Sequence, residues 1–294
     1  PEKLSRFSWP LFIPMCLILA VSIVVLYSAG GGAWRPFALS QLIKIVLGFC
    51  VFFFAAFTNI KTWIKSAYLI YAIALVMIVL VTFVGHTGMG AQRWLNLGFF
   101  HVQPSELIKI ALVLALARYF AWMNSVELTQ IKNYAVPLAM LLVPFVLIVA
   151  QPDLGTALSL GMITVGIFYI VGAQKKWFII AIILGLMAAP LMWFGGLHDY
   201  QRDRIITFIN PDHDAQGAGY QINQAKIAFG SGGMLGKGYM AGTQSQQSFL
   251  PEKQTDFIFT MLGEEFGFIG AFALLMLYTI IIIVLFWCAK TCRN

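Results

Sequence analysis

Apolar residues in this chain come in long unbroken runs separated by short polar intervals, the pattern of repeated membrane crossing. A run of about 20 residues rising 1.5 Å each covers a hydrocarbon core of about 30 Å. On that measure the sequence predicts eight helices, over Trp9–Ala29, Phe37–Thr58, Ser66–Gly85, Pro104–Trp122, Tyr134–Ala150, Leu154–Gly172, Trp177–Gly195 and Phe257–Trp287. The last run is long enough to tilt, or to begin at the interface before crossing. One long polar interval, 196–255, separates it from the seventh. The expected fold is an all-α polytopic membrane protein, a single membrane domain over 1–294 with that loop inside it. No solenoid repeat is visible, and no cleavable signal pattern precedes the first span. The chain opens on Pro1 and stops soon after a helix, so both ends are expected to be trimmed.

Composition agrees. Hydrophobic residues make up 60% of the 294 and charged residues 11%, against about 25% charged in a soluble domain; mean hydropathy is +0.83. The net charge of +7 comes from dispersed cations and does not suggest nucleic acid as a partner. Those cations do set an orientation. With the N-terminus inside, the inner face carries Lys3, Arg6, Lys61, Lys65, Arg118, Lys132, Lys175, Lys176, Lys290 and Arg293, whereas the short outer loops carry only Arg35 and Arg93. The positive-inside rule then places both ends in the cytoplasm and the 196–255 loop outside. Cys16 and Cys50 lie within spans, with Cys288 and Cys292 at the cytoplasmic end of the last, which gives no disulfide framework. The four histidines show no zinc-ligand spacing, so no metal site is expected from side chains alone.

Candidate chemistry gathers on the predicted outer side. Gln92-Arg93-Trp94, in the 86–103 connection, mixes aromatics with one cation, suited either to anchoring in the headgroup layer or to holding a lipid-linked phosphate. Gln103-Pro104-Ser105-Glu106 opens the fourth span, and Glu106 and Lys109, three apart, share a helix face and can pair. Ionisable groups at membrane depth are costly and by default mark function; an ion pair that merely fixes packing is the plainer reading. Gln151-Pro152-Asp153 is a tight turn in which Asp153 is a natural N-cap. The long loop holds Arg202, Arg204 and a glycine-rich stretch ending at Lys237. That stretch fails the nucleotide-loop pattern, since Ser231 replaces the first required glycine and Gly238 follows the lysine. So many glycines still imply close backbone approach, to another loop or to a substrate. Asp256 then stands at the threshold of the last apolar run, as a helix N-cap or as a reactive carboxylate.

Taken together, Gln92-Arg93-Trp94, Gln103-Pro104-Ser105-Glu106-Leu107 with Lys109, Gln151 to Thr156, Gly242 to Ser245 with Phe249-Leu250-Pro251-Glu252 and Thr255 to Phe259, and Gly263-Glu264-Glu265-Phe266-Gly267 resemble the SEDS family, which serves shape, elongation, division and sporulation. The wording is most similar to its rod-shape, elongation branch. The resemblance implies a ten-helix fold, of which eight helices are present here and two are expected to be missing. It departs at Gln254, where many relatives carry His, and at Ala225, where Ser is common.

What the resemblance implies is a peptidoglycan glycosyltransferase of the bacterial cytoplasmic (inner) membrane. It would polymerise lipid II into glycan strands at the outer face, beside a class B penicillin-binding protein (a transpeptidase) and other elongation-complex membrane proteins. A β-linked product from an α-linked donor requires inversion by direct displacement. That chemistry needs a carboxylate to take the hydroxyl proton, for which Asp256 is the candidate. It also needs cations for the departing diphosphate: Arg93, Lys109, Arg202, Arg204 and Lys237, with room for a divalent cation, Mg or Mn. Glu106 would orient Lys109, and Asp153 lies on the same side. The rival readings are a lipid II flippase, with Glu106 and Lys109 lining its path, and a non-catalytic scaffold for a transpeptidase.

Overall fold

The computed structural model describes residues 8–88, 91–96, 101–124, 126–196, 199–214, 217–246 and 253–291. Lys3, Arg6, Arg93's side chain, Cys292, Arg293 and the Phe249–Glu252 motif lie outside the described residues. The chain divides into two compact units, one of Pro1–Phe54 with Gly196–Asn294 and one of Ala55–Gly195.

Among the described residues, seven helices are long and apolar enough to cross a membrane. In chain order the helices are α1 (Trp9–Ala29), α2 (Phe37–Phe57), α3 (Ile60–Val84), α4 (Pro104–Phe120), α5 (Ala135–Ala150), α6 (Leu154–Val171), α7 (Lys175–Leu191), α8 (Asp199–Ile209), α9 (Ala218–Ser231), α10 (Thr243–Gln246) and α11 (Ile258–Thr291). The expected fourth span is realised as α4, whose 17 residues stand outside the seven, whereas α5 and α7 reach spanning length together with the turns that adjoin them, Ile131–Tyr134 and Met192–Gly196. The polar start of α4 shortens its apolar run.

In the second unit, α4 is the central helix. Ile108, Leu112 and Leu116 are fully buried and meet Ala74 and Ile78 of α3, Ile148 of α5 and Leu160 of α6. Lipid is as apolar as these side chains, so their contribution is packing rather than transfer from water, and polar ties carry more of the specificity. Gln151 supplies one: its buried amide donates to the Ile78 carbonyl at 3.0 Å and to Thr82 Oγ1 at 3.3 Å, fixing the α5–α6 turn to α3. Tyr71 supplies another, its hydroxyl donating to the Met140 carbonyl at 2.8 Å. The Arg93 connection is a short antiparallel meander, β1 (His86–Gly88), β2 (Ala91–Asn96) and β3 (His101–Val102), with an irregularity between His86 and Thr87. This is the one departure from an otherwise helical chain among the described residues.

In the first unit, α1 and α9 pack on α11. Val25 and Ala29 meet Met261, Leu262 and Ala271, with Phe229 and Phe266 at the edge. The last apolar run is not one straight helix. Gly267 has φ +67° and ψ −166°, which breaks α11 nine residues after its start. The break takes the Glu264 and Glu265 carbonyls and the Phe268 and Ile269 amides out of the helical ladder, and the glycine-rich loop takes over those bonds. Lys237 N donates to Glu264 O at 3.0 Å and Gly238 N to Glu265 O at 3.1 Å; Phe268 N donates to Gly233 O at 2.9 Å and Ile269 N to Met234 O at 3.2 Å. A Cβ on Gly236, itself at φ +80°, would lie 2.1 Å from the Glu265 carbonyl oxygen. The close approach anticipated for this stretch is therefore to backbone of its own chain.

Candidate functional site

Asp256 lies in the turn before α11 and is exposed. The helix proper begins at Ile258, and the Phe257 carbonyl accepts the first helical bond, from Met261 N at 3.0 Å. Phe257 thus takes the capping place, and the Asp256 carboxylate makes no hydrogen bond or ion pair among the described residues. It opens instead onto a cavity of about 560 Å³ between the start of α11 and α9. Across that cavity, α9 presents Ile222, Ala225, Lys226 and Phe229, the i, i+3, i+4, i+7 face of a helix. Phe229 stacks on Phe259, ring centroids 5.7 Å apart, and gives the cavity an apolar wall. Ala225 belongs to this lining. Lys226 was not singled out from the sequence. Its helical spacing from Phe229, combined with the position of Asp256, is the signal that would have found it.

Asp153 behaves in the opposite way. Its Oδ1 accepts from Thr156 N at 3.3 Å and its Oδ2 from Thr156 Oγ1 at 2.9 Å, so it caps α6. Oδ2 also accepts from Gln103 Nε2 at 3.2 Å, which ties the start of α4 to the start of α6. One turn into α4, Lys109 Nζ pairs with Glu106 Oε1 at 2.8 Å. The glutamate is about half exposed and the lysine one quarter, so the pair is open to solvent or ligand on the glutamate side. Glu106, Lys109 and Asp153 are brought to one end of the second unit.

The other expected cations are dispersed. Arg202 and Arg204 both lie on α8, but residues two apart on a helix point some 200° apart, so these two do not converge. Arg202 reaches Asp199 at 3.5 Å, and Arg204 is exposed. Lys237 is engaged inside its own unit: Nζ donates to Glu264 Oε1 at 2.9 Å and to Thr243 Oγ1 at 2.7 Å. Glu264 is fully buried and also accepts from Gln244 N at 2.9 Å. Its neighbour Glu265, also buried, accepts from Ser28 Oγ of α1. The Tyr239 hydroxyl donates to the Val24 carbonyl at 3.1 Å, and burial first and the Glu265 charge second raise its pKa above the ordinary tyrosine value. These buried carboxylates escaped the sequence reading because adjacent glutamates inside an apolar run carry no spacing that distinguishes a structural ion pair from a site. No group of three His, Cys, Asp or Glu side chains converges among the described residues.

Comparison with known proteins agrees with this architecture. The peptidoglycan glycosyltransferase MrdB of Escherichia coli K12 is 38% identical over 279 residues, covering 94% of this chain and 74% of that protein. A probable peptidoglycan glycosyltransferase FtsW of Tolumonas auensis is 32% identical over 283 residues, covering 94% and 73%. Among solved structures, one chain from work on the structural coordination of polymerization and crosslinking by a peptidoglycan synthase complex superposes with a TM-score of 0.78 at 28% identity, covering 98% of this chain and 79% of the other. The rod shape determining protein RodA of Thermus thermophilus superposes with a TM-score of 0.67 at 26% identity, covering 98% and 76%. The family model described as "Cell cycle protein" (FtsW/RodA/SpoVE) matches residues 3–294, and this multi-pass membrane chain belongs to that family.

Proposed function

We propose that the chain is an inverting peptidoglycan glycosyltransferase that polymerises lipid II into glycan strands, at the outer face of the bacterial cytoplasmic membrane and during cell elongation. Its relatives' names as peptidoglycan glycosyltransferases support the reaction class. The observation that carries the reading to a residue is Asp256, a carboxylate with no hydrogen bond or ion pair among the described residues, open to a cavity with an apolar wall. In the displacement, the acceptor's 4-hydroxyl oxygen bonds to the anomeric carbon of the donor sugar. The bond from that carbon to the diphosphate oxygen breaks, its electron pair leaving with the polyprenyl diphosphate. Asp256 receives the hydroxyl proton, and a positioned base of this kind is worth about 10²–10⁴ in rate.

Of the cations named from the sequence, Arg204 is exposed, whereas Lys109 is paired with Glu106 and Lys237 with Glu264. A Mg or Mn ion, where one takes part, would be held largely by substrate oxygens, as is common for Mg. The partner we propose is a class B penicillin-binding transpeptidase, supported by the structural likeness to a chain of a peptidoglycan synthase complex. The test is polymerisation of purified lipid II by the full-length protein and by its Asp256→Ala variant. Polymer from the wild type alone is expected. Full-rate polymer from the variant, or lipid movement across vesicles without any polymer, would overturn the reading.

A further inference from the structure

The cavity that holds Asp256 contains one cationic side chain among its described lining residues, that of Lys226. Four of the other basic side chains have a polar partner in this structure: Lys109 on Glu106, Arg202 on Asp199, Lys237 on Glu264, Arg118 on the Lys65 carbonyl. Lys226 makes no hydrogen bond or ion pair among the described residues, not even with Asp256 within the 4.0 Å of an ion pair. It stands on the cavity-facing side of α9, one turn before Phe229, and is exposed. A lone ammonium beside a lone carboxylate, over an aromatic wall, suits a ligand that is negative at one end and amphiphilic along its length.

We infer that Lys226 binds the diphosphate of a prenyl-linked sugar donor in the Asp256 cavity and takes up the charge that develops when this group leaves. The assignment rests on the glycosyltransferase reading above and adds a residue to it. As the anomeric carbon–oxygen bond breaks, the diphosphate gains one negative charge, and Asp256 loses its own charge by accepting the hydroxyl proton. The negative charge that Asp256 gives up thus reappears on the leaving group, the total in the cavity is unchanged, and Lys226 faces the group that has become more anionic. Its interaction strengthens along the reaction, which is the condition for lowering a barrier rather than merely tightening binding.

The experiment compares Lys226→Met, Lys226→Arg and Asp256→Asn in the full-length protein, with purified lipid II in zwitterionic vesicles and in vesicles containing anionic lipid. Inhibition by added polyprenyl diphosphate is measured alongside. Lys226→Met is expected to lower kcat/KM about 100-fold, as loss of one preorganised charge contact does, and to weaken inhibition by the diphosphate at least about tenfold. Lys226→Arg is expected to stay within about tenfold of wild type, which shows that the fold tolerates the position. A Lys226→Met enzyme within twofold of wild type, while Asp256→Asn is inactive, overturns the assignment and leaves the glycosyltransferase reading standing. Activity in Asp256→Asn as well removes both. A loss in Lys226→Met seen only in anionic vesicles identifies the contact as one to bilayer headgroups and also overturns the assignment.

Discussion

Lys237 reaches across 27 positions of sequence to place its ammonium 2.9 Å from the carboxylate of Glu264, which has no exposed surface at all. The lysine is one quarter exposed and the glutamate buried, so their fates on mutation differ. Lys237→Met leaves a buried carboxylate without its cationic partner, and is expected to cost about 3 kcal/mol, the low end for breaking a buried pair because solvent reaches the lysine. Glu264→Gln added to Lys237→Met should recover most of it. Thermal unfolding in detergent of the two single variants and the double variant measures both effects.

Gly267 and Gly236 make the join between the broken helix and the loop. An alanine at Gly267 meets a backbone conformation, φ +67° and ψ −166°, that is essentially confined to glycine and worth about 1–3 kcal/mol, and places its Cβ 2.3 Å from Gly236 N and 2.6 Å from Met234 O. Both contacts are backbone and cannot swing aside. Gly267→Ala is expected to yield little folded protein by size-exclusion chromatography. Gly161→Ala, where nothing lies within 4 Å, should elute and melt as wild type.

The two aspartates separate by stability. Asp153→Ala removes the α6 cap and a tie to Gln103, and should lower stability by about 1 kcal/mol. Asp256→Ala removes no such contact and should melt as wild type while losing polymerisation. A lowered melting point for Asp256→Ala would show that the carboxylate has a structural duty after all.

Metal dependence is expected to be a property of the complex with substrate. Chelator should depress polymerisation and added Mg or Mn restore it, whereas titration of either ion into the protein alone should show no saturable binding. Tight binding without substrate would point to a ligand set other than the one described.

Much of this architecture could be read from the runs of apolar residues. Seven of the eight expected helices are long enough to span, and the eighth, over Pro104–Phe120, forms with the pair Glu106–Lys109 placed as its i, i+3 spacing requires. Length and periodicity report such features because each depends on neighbours along the chain. The break at Gly267 and the coverage of α11 by residues 233–238 were not legible, since they depend on backbone groups distant in sequence finding one another. The same limit hid Ser28 beside Glu265. Asp153 and Asp256 looked alike as residues before a helix; where the first bonded turn starts, at Leu154 in one case and Ile258 in the other, is what sets them apart.

The brevity of α4 has a bearing on the lipid around it. Seventeen residues rise about 25 Å, some 5 Å less than the oily layer they sit in. Either the bilayer thins locally or water follows the polar first turn inward, each at a modest cost per ångström. Glu106 and Lys109 lie in the first turns of that short helix, at the end where such a mismatch would be taken up.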